Sequence, residues 1–254
     1  MSDLAVQVFR GLDGVELAYR ETGTGRALVL IHGLFSSATV NWIRPGTAAA
    51  LAARGFRVIM PDLRAHGDSG KPHDPGAYPP DVLADDALAL IEHLGLDAYD
   101  LGGYSLGGRT VVRALLRGAA PGRAVVAGMG LDGIIHGADR NGTFRRVLGN
   151  LGTFERGTPE WKSERFLKAM HGDPEALIHI LGDTAETTTA DLAGIATPTL
   201  VVMGADDDAI AGARPLADAL PNGRFVEVPG DHMSAVVQRD LGAAIGDFLT
   251  EPRG

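Results

Sequence analysis

Residues 102–108 read GGYSLGG and follow directly on the apolar run AYDL (98–101). One serine stands between two bulky side chains, fenced on each side by a glycine pair. A turn needs about one glycine and a buried strand favours none, so four in seven residues mark a place where backbones must come very close. Gly103 to Gly107 fits G-x-S-x-G. Its left flank predicts a strand and its right flank, LGGRTVVRALLRG (106–118), a helix, the context this motif requires. The logic is steric. A sharp strand-to-helix turn lifts the Ser105 hydroxyl above a sheet edge, and side chains two residues before or after it would collide. A glycine-rich turn with an incidental serine is the plainer alternative, so further support must come from the rest of the chain.

Outward from the turn, short apolar runs alternate with helical patterns, the signature of βαβ units and a mostly parallel sheet. VQVFR and VELAYRET flank Gly11 to Gly14 and predict an antiparallel hairpin at the sheet edge. ALVLIHG (27–33), FRVIMPD (56–62), RAVVAGMG, PTLVVMG and RFVEVPG predict further strands. AAALAARG, DVLADDALALIEHLG (81–95) and a closing SAVVQRDLGAAIGDFL predict helices. Residues 134–190 break the rhythm: they are rich in charge and helix formers, with helices predicted at WKSERFLKAM and PEALIHIL. The expected architecture is therefore α/β, a mostly parallel central sheet with helices on both faces. Its core is 1–133 and 191–254, and the helical insertion 134–190 is a small lid over a site.

Composition narrows the function classes. The 254 residues carry a formal net charge of −9, which argues against a nucleic-acid surface. No cysteine is present, so disulfides, thiol nucleophiles and thiolate metal sites are excluded. The start, MSDLAVQVFRGLDG, carries an acid where a signal peptide would carry positive charge, and no apolar stretch approaches a membrane span. These features predict a soluble, cytoplasmic protein that meets neither membrane nor nucleic acid. Its partner is a small-molecule substrate. Oligomeric state is not legible.

A serine hydroxyl needs a base. Of eight histidines, His93 falls in a predicted helix, and His73, His136, His171 and His179 sit in loops or the lid without supporting context. His232 lies just past the last strand, on a loop that opens on the same sheet edge as the serine turn, and is the candidate general base. An orienting carboxylate is the expected third member. PTLVVMGADDDAI ends a strand in three aspartates on that edge, so Asp206, Asp207 and Asp208 compete. Calcium is not expected there, because the alternating ligands and central glycine of a calcium loop are missing. Two backbone donors, Leu106 N–H and Leu34 N–H, are candidates for an oxyanion hole. His32 is expected to buttress the second of these turns. Phe35, Tyr104 and Met233 are candidate substrate contacts, with core packing as the alternative for such residues, as it is for Trp42, Phe144, Phe154 and Trp161.

Taken together and in order, LVLIHG, PDLRAHGDSGKP, GYSLGG, VVMGADDD and GDHM resemble the α/β-hydrolase fold family over nearly the whole chain. Ala65 stands where the family's D-x-R-G-H-G-x-S loop has glycine. The resemblance implies that the acid lies three residues after Gly204, at Asp207, in a Ser105, Asp207, His232 order. It also implies no metal and no organic cofactor. A serine at the elbow sets the chain apart from the aspartate-bearing dehalogenases and epoxide hydrolases of the fold. What remains is similar to small serine esterases, lactonases, carbon–carbon bond hydrolases and perhydrolase-type members. A non-catalytic small-molecule receptor is the alternative of another class. Gly128 to Gly133 fits G-x-G-x-x-G but lies in the wrong βα turn for a dinucleotide. Asp132 within it is the reserve choice for the acid.

Overall fold

The computed structural model describes residues 4–182 and 185–252. Eight strands form one sheet in the order β1-β2-β4-β3-β5-β6-β7-β8. These are β1 Gln7–Arg10, β2 Glu16–Thr22, β3 Arg26–Ile31, β4 Phe56–Pro61, β5 Tyr99–Tyr104, β6 Ala124–Ala127, β7 Thr199–Gly204 and β8 Gly223–Val228. The predicted hairpin supplies the antiparallel edge, β1 on β2 and β2 on β4, and every other pair is parallel. Strand order reverses between β3 and β5, which lie side by side. The crevice beyond the carboxyl ends of such a reversal is where α/β sheets bind ligands, and the loops after β3 and β5 carry Leu34 and Ser105.

Ten helices complete the described chain: α1 Thr47–Ala52, α2 Val82–His93, α3 Leu106–Leu116, α4 Leu131–Ile135, α5 Gly137–Gly149, α6 Pro159–Ala169, α7 Pro174–Ile180, α8 Thr189–Ala193, α9 Ala213–Ala219 and α10 Arg239–Thr250. The parallel strands are buried on both faces, so they read as continuous apolar runs. Alternate residues serve opposite cores. Val29, Ile31 and Leu101 join the cluster under α2, α3 and α9, and Leu28, Leu30 and Val58 join the one under α1 and α10.

Two departures from the sequence reading have local causes. The closing helix starts at Arg239 rather than near Ser234, because Asp231 Oδ1 accepts the Met233 and Ser234 N–H groups and closes a turn there. Residues 235–237 then form a single 3₁₀ turn. Helix α9 was not anticipated: Pro215 reads as a breaker, yet it falls in the helix's first turn, where its missing N–H costs nothing.

The long loop after β4 is pinned from beneath. Arg64 is buried and pairs bidentately with Asp86, at 2.9 and 2.7 Å, while also binding Asp13. Asp62 accepts the Ala38 and Asp68 N–H groups at 2.8 and 3.0 Å, tying the loops after β3 and β4 together. Ala65, where the loop it resembles has glycine, holds a left-handed φ of 67°.

Helices α4 to α8 sit between β6 and β7; the insertion expected over 134–190 begins within α4 and ends within α8. They meet the core partly through His73, whose Nε2 lies 2.9 Å from Asp173 and whose Nδ1 lies 3.1 Å from Glu175, at the start of α7. Only a ring protonated on both nitrogens donates to both carboxylates. The Asp173 hydrogen bond accordingly holds the His73 pKa above its ordinary value. This clasp is therefore complete below pH 6.5, the free imidazole value, and is lost as pH rises through the raised one. Hydrogen exchange of the 174–180 amides, corrected for the intrinsic rate, should accelerate over that rise in the wild type and show no such step in His73→Ala. An unchanged step in the variant would assign the pH response to another group.

Candidate active site

β5 runs into Ser105, whose backbone holds φ 54° and ψ −113°, a region side chains rarely occupy. Surrounding packing enforces it. A Cβ on Gly103 would fall 2.2 Å from the Gly107 carbonyl oxygen, and one on Gly107 would fall 2.2 Å from that of Ile31. Only hydrogen at both positions lets α3 begin this close to β3 and β5. The Ser105 N–H donates to the Ala127 carbonyl at 2.8 Å, fixing the bend to β6.

His232 arrives from the loop after β8. Its Nε2 lies 3.0 Å from Ser105 Oγ and its Nδ1 2.8 Å from Asp207 Oδ2. Of the three neighbouring aspartates only Asp207 is buried, at 3% exposure, while Asp206 and Asp208 face solvent. The Asp207 N–H donates to the Gly204 carbonyl, and its second carboxylate oxygen accepts the Ala209 N–H at 2.9 Å. These bonds turn the carboxylate inward. Asp132 is exposed on α4. The His232 loop is also held from below: Tyr104 Oη donates to the His232 carbonyl at 2.8 Å, and the two rings lie 5.5 Å apart. Burial pushes the Tyr104 phenol pKa up, so the hydroxyl stays a donor. Ser234 hydrogen bonds keep the Asp231 carboxyl below its usual range, which holds that turn charged and closed.

Opposite the elbow, the Gly33 carbonyl accepts from His32 Nδ1 at 2.8 Å and from the Ser36 N–H at 3.2 Å. Because a trans peptide points its C=O and N–H in opposite directions, this aims the Leu34 N–H away from His32. His32 Nε2 accepts the Leu63 N–H at 3.0 Å, so both ring nitrogens are bonded to backbone. Burial lowers the His32 pKa and keeps the ring neutral, as those two bonds require. Leu106 opens α3, where a first-turn N–H has no helical acceptor. Gly33 itself lies against the serine, since a Cβ there would fall 3.3 Å from the Ser105 Cβ.

The candidate substrate contacts fare differently. Phe35 is buried in edge-to-face contact with Phe144, centroids 5.7 Å apart. Met233 is 55% exposed on the rim. Tyr104 is 4% exposed and belongs to the α1/α10 core, behind the imidazole. Strand alternation turned it to that face. Trp42 is likewise core, and Trp161 is bracketed by Arg156 and Arg165. A cavity of about 760 Å³ opens beside the elbow, between the start of α2, the Leu106–Arg113 face of α3 and the end of α7; neither Ser105 nor His232 lines it. Among the described residues no three His, Asp or Glu side chains converge as a metal site would need, and no helix is long and apolar enough to cross a membrane. The sequence reading missed Asn41, whose Oδ1 takes the Gly33 N–H at 2.8 Å, because no local signal links residues eight apart.

A family model described as alpha/beta hydrolase fold matches residues 26–171. The non-heme chloroperoxidase CPO-A1 of Kitasatospora aureofaciens is 30% identical over 264 aligned positions, which cover 90% of this chain and 92% of that protein. A non-heme haloperoxidase of Rhodococcus erythropolis is 37% identical over 111 residues, but these span only 38% of its length and 42% of this chain. Among solved structures, the enol-lactonase of Burkholderia xenovorans LB400 superposes with a TM-score of 0.74 at 26% identity, covering 96% of this chain and all of that one.

The elbow packing is open to direct trial. Gly107→Ala should lower stability by about 1–3 kcal/mol or more in a denaturant melt, because neither backbone can yield. Gly142→Ala, inside α5 with open space around it, should instead add about 0.5–1 kcal/mol. Equal melts for the two variants would contradict the close approach.

Proposed function

The chain belongs to the alpha/beta hydrolase family, and from that premise we propose that it is a serine hydrolase cleaving a carboxylic ester or lactone of a small molecule. The observation that carries this reading is the unbroken hydrogen-bonded run from Ser105 Oγ through His232 to Asp207, at 3.0 and 2.8 Å. In the proposed cycle His232 Nε2 takes the Ser105 proton as Oγ attacks the carbonyl carbon. The ring becomes imidazolium, and the Asp207 carboxylate, accepting from Nδ1–H, stabilises that charge and fixes the tautomer. The carbonyl oxygen becomes an oxyanion facing the Leu34 and Leu106 N–H donors. Imidazolium then protonates the departing alkoxide, leaving an acyl-serine. Water, deprotonated by the same nitrogen, releases the acid and restores Ser105. No cofactor enters these steps.

The helices of 134–190 are read as a lid; in support, Phe144 of α5 packs on Phe35 in the loop after β3 and α7 is clasped to the loop after β4. A second reading draws on the similarity to a chloroperoxidase along 92% of that protein. Hydrogen peroxide in place of water in the second step would release a peracid from the same acyl-serine, with every residue in the same role.

The test is turnover of p-nitrophenyl acetate and butyrate. Ser105→Ala and His232→Ala should each lose at least about 10³-fold in kcat. Among Asp206→Asn, Asp207→Asn and Asp208→Asn, only the second should show a large loss. Wild-type turnover no faster than Ser105→Ala would refute the hydrolase reading and favour a binding protein. Peracid formed from acetate and peroxide by the wild type, and absent in Ser105→Ala, would support the second reading.

A further inference from the structure

The turn after β3 is braced by a segment that the proposed chemistry does not touch. Thr39–Ile43 forms a π-helical turn, closed by the Arg44 N–H on the Thr39 carbonyl at 2.9 Å. Such turns are rare and cluster at functional positions. This one brings two consecutive residues inward, Asn41 at 5% and Trp42 at 0% exposure. Trp42 fills the core. Asn41 turns to Gly33, whose N–H it accepts at 2.8 Å.

Gly33 is squeezed against the nucleophile. A Cβ there would lie 3.3 Å from the Ser105 Cβ and 3.7 Å from Asn41 Oδ1. The close approach favours glycine, yet glycine is the residue with the freest backbone, and it immediately precedes a donor that must be aimed. A residue's orientation is fixed once the two peptide planes beside it are fixed, since only φ and ψ turn between them. The plane after Gly33 is held through its carbonyl by His32 and the Ser36 N–H. The plane before it is held through the Gly33 N–H by Asn41. Loss of Asn41 would leave φ of Gly33 free and a buried N–H unsatisfied.

We propose that Asn41 is a positioning residue for the reaction: by fixing the peptide plane before Gly33, it sets the aim of the Leu34 N–H at the oxyanion. The inference rests on the reading of Ser105 as nucleophile. A donor aimed wrongly still binds the ground-state ester, so the loss should fall on kcat. Removing a whole oxyanion donor costs about 10²–10³-fold, and misaiming one should cost about 10–100-fold.

Asn41→Leu removes the acceptor at similar volume, and Trp42→Phe in the same π turn serves as the structural control. With p-nitrophenyl acetate, and rates normalised to folded protein, Asn41→Leu should lose about 10–100-fold in kcat with KM within about twofold. Trp42→Phe should keep kcat within about threefold even where its melting temperature drops. Asn41→Ala, held to the same criteria, carries the test if the leucine disturbs folding. The proposal is overturned if the Asn41 variants keep wild-type kcat, if the loss falls on KM, or if Trp42→Phe loses as much. Wild-type turnover no faster than Ser105→Ala would be a different failure: it removes the nucleophile reading itself, and the role of Asn41 with it.

Discussion

The close contact of α3 with the β3–β5 pair is the constraint on which the rest of the structure depends. Gly103 and Gly107 leave no room for even a methyl group, and the chain between them has to turn in about two residues. Ser105, just past the carboxyl end of β5, is forced to φ 54°, and its Oγ lies 3.0 Å from His232 Nε2. Strain of this kind persists only when neighbouring structure over-determines it, at a cost of order 1–3 kcal/mol. Here the neighbours are apolar strands buried on both faces, with β6 accepting the Ser105 N–H.

Around that bend, hydrogen bonds hold loops from four strands to one another. His32 joins the loop after β3 to the loop after β4, and Asp62 does the same from the other side. Tyr104 holds the His232 loop from within the core. The Asp206 N–H donates to the Gly230 carbonyl, so the loops after β7 and β8 move together. Each bond joins segments that carry or adjoin Ser105, His232 or Asp207.

How much of this was legible in the sequence depended on whether the cause was local. The elbow was, because close approach demands glycine at fixed offsets from the serine. The hairpin edge and parallel centre were, because burial on both faces leaves continuous apolar runs. Asp207 was not separable from Asp206 and Asp208 by chemistry; family spacing pointed to it, and burial is what distinguishes the three. Tyr104 packs in the core; adjacency to Ser105 does not decide which face a strand residue takes. The closing helix was drawn too long because its apolar period runs unbroken through a segment where Asp231 closes a turn instead. Asn41 left no local trace at all. Ala65, which stands where the family's loop has glycine, sits at a φ of 67°.

The central claim is that Ser105 is a nucleophile activated by His232. It is met most directly by a fluorophosphonate probe, with the labelled peptide mapped by mass spectrometry. A single adduct on the peptide bearing Ser105 is predicted. It should be absent from Ser105→Ala and formed at least about 10²-fold more slowly in His232→Ala. No adduct on the folded wild type, or an adduct on another residue, would contradict the account.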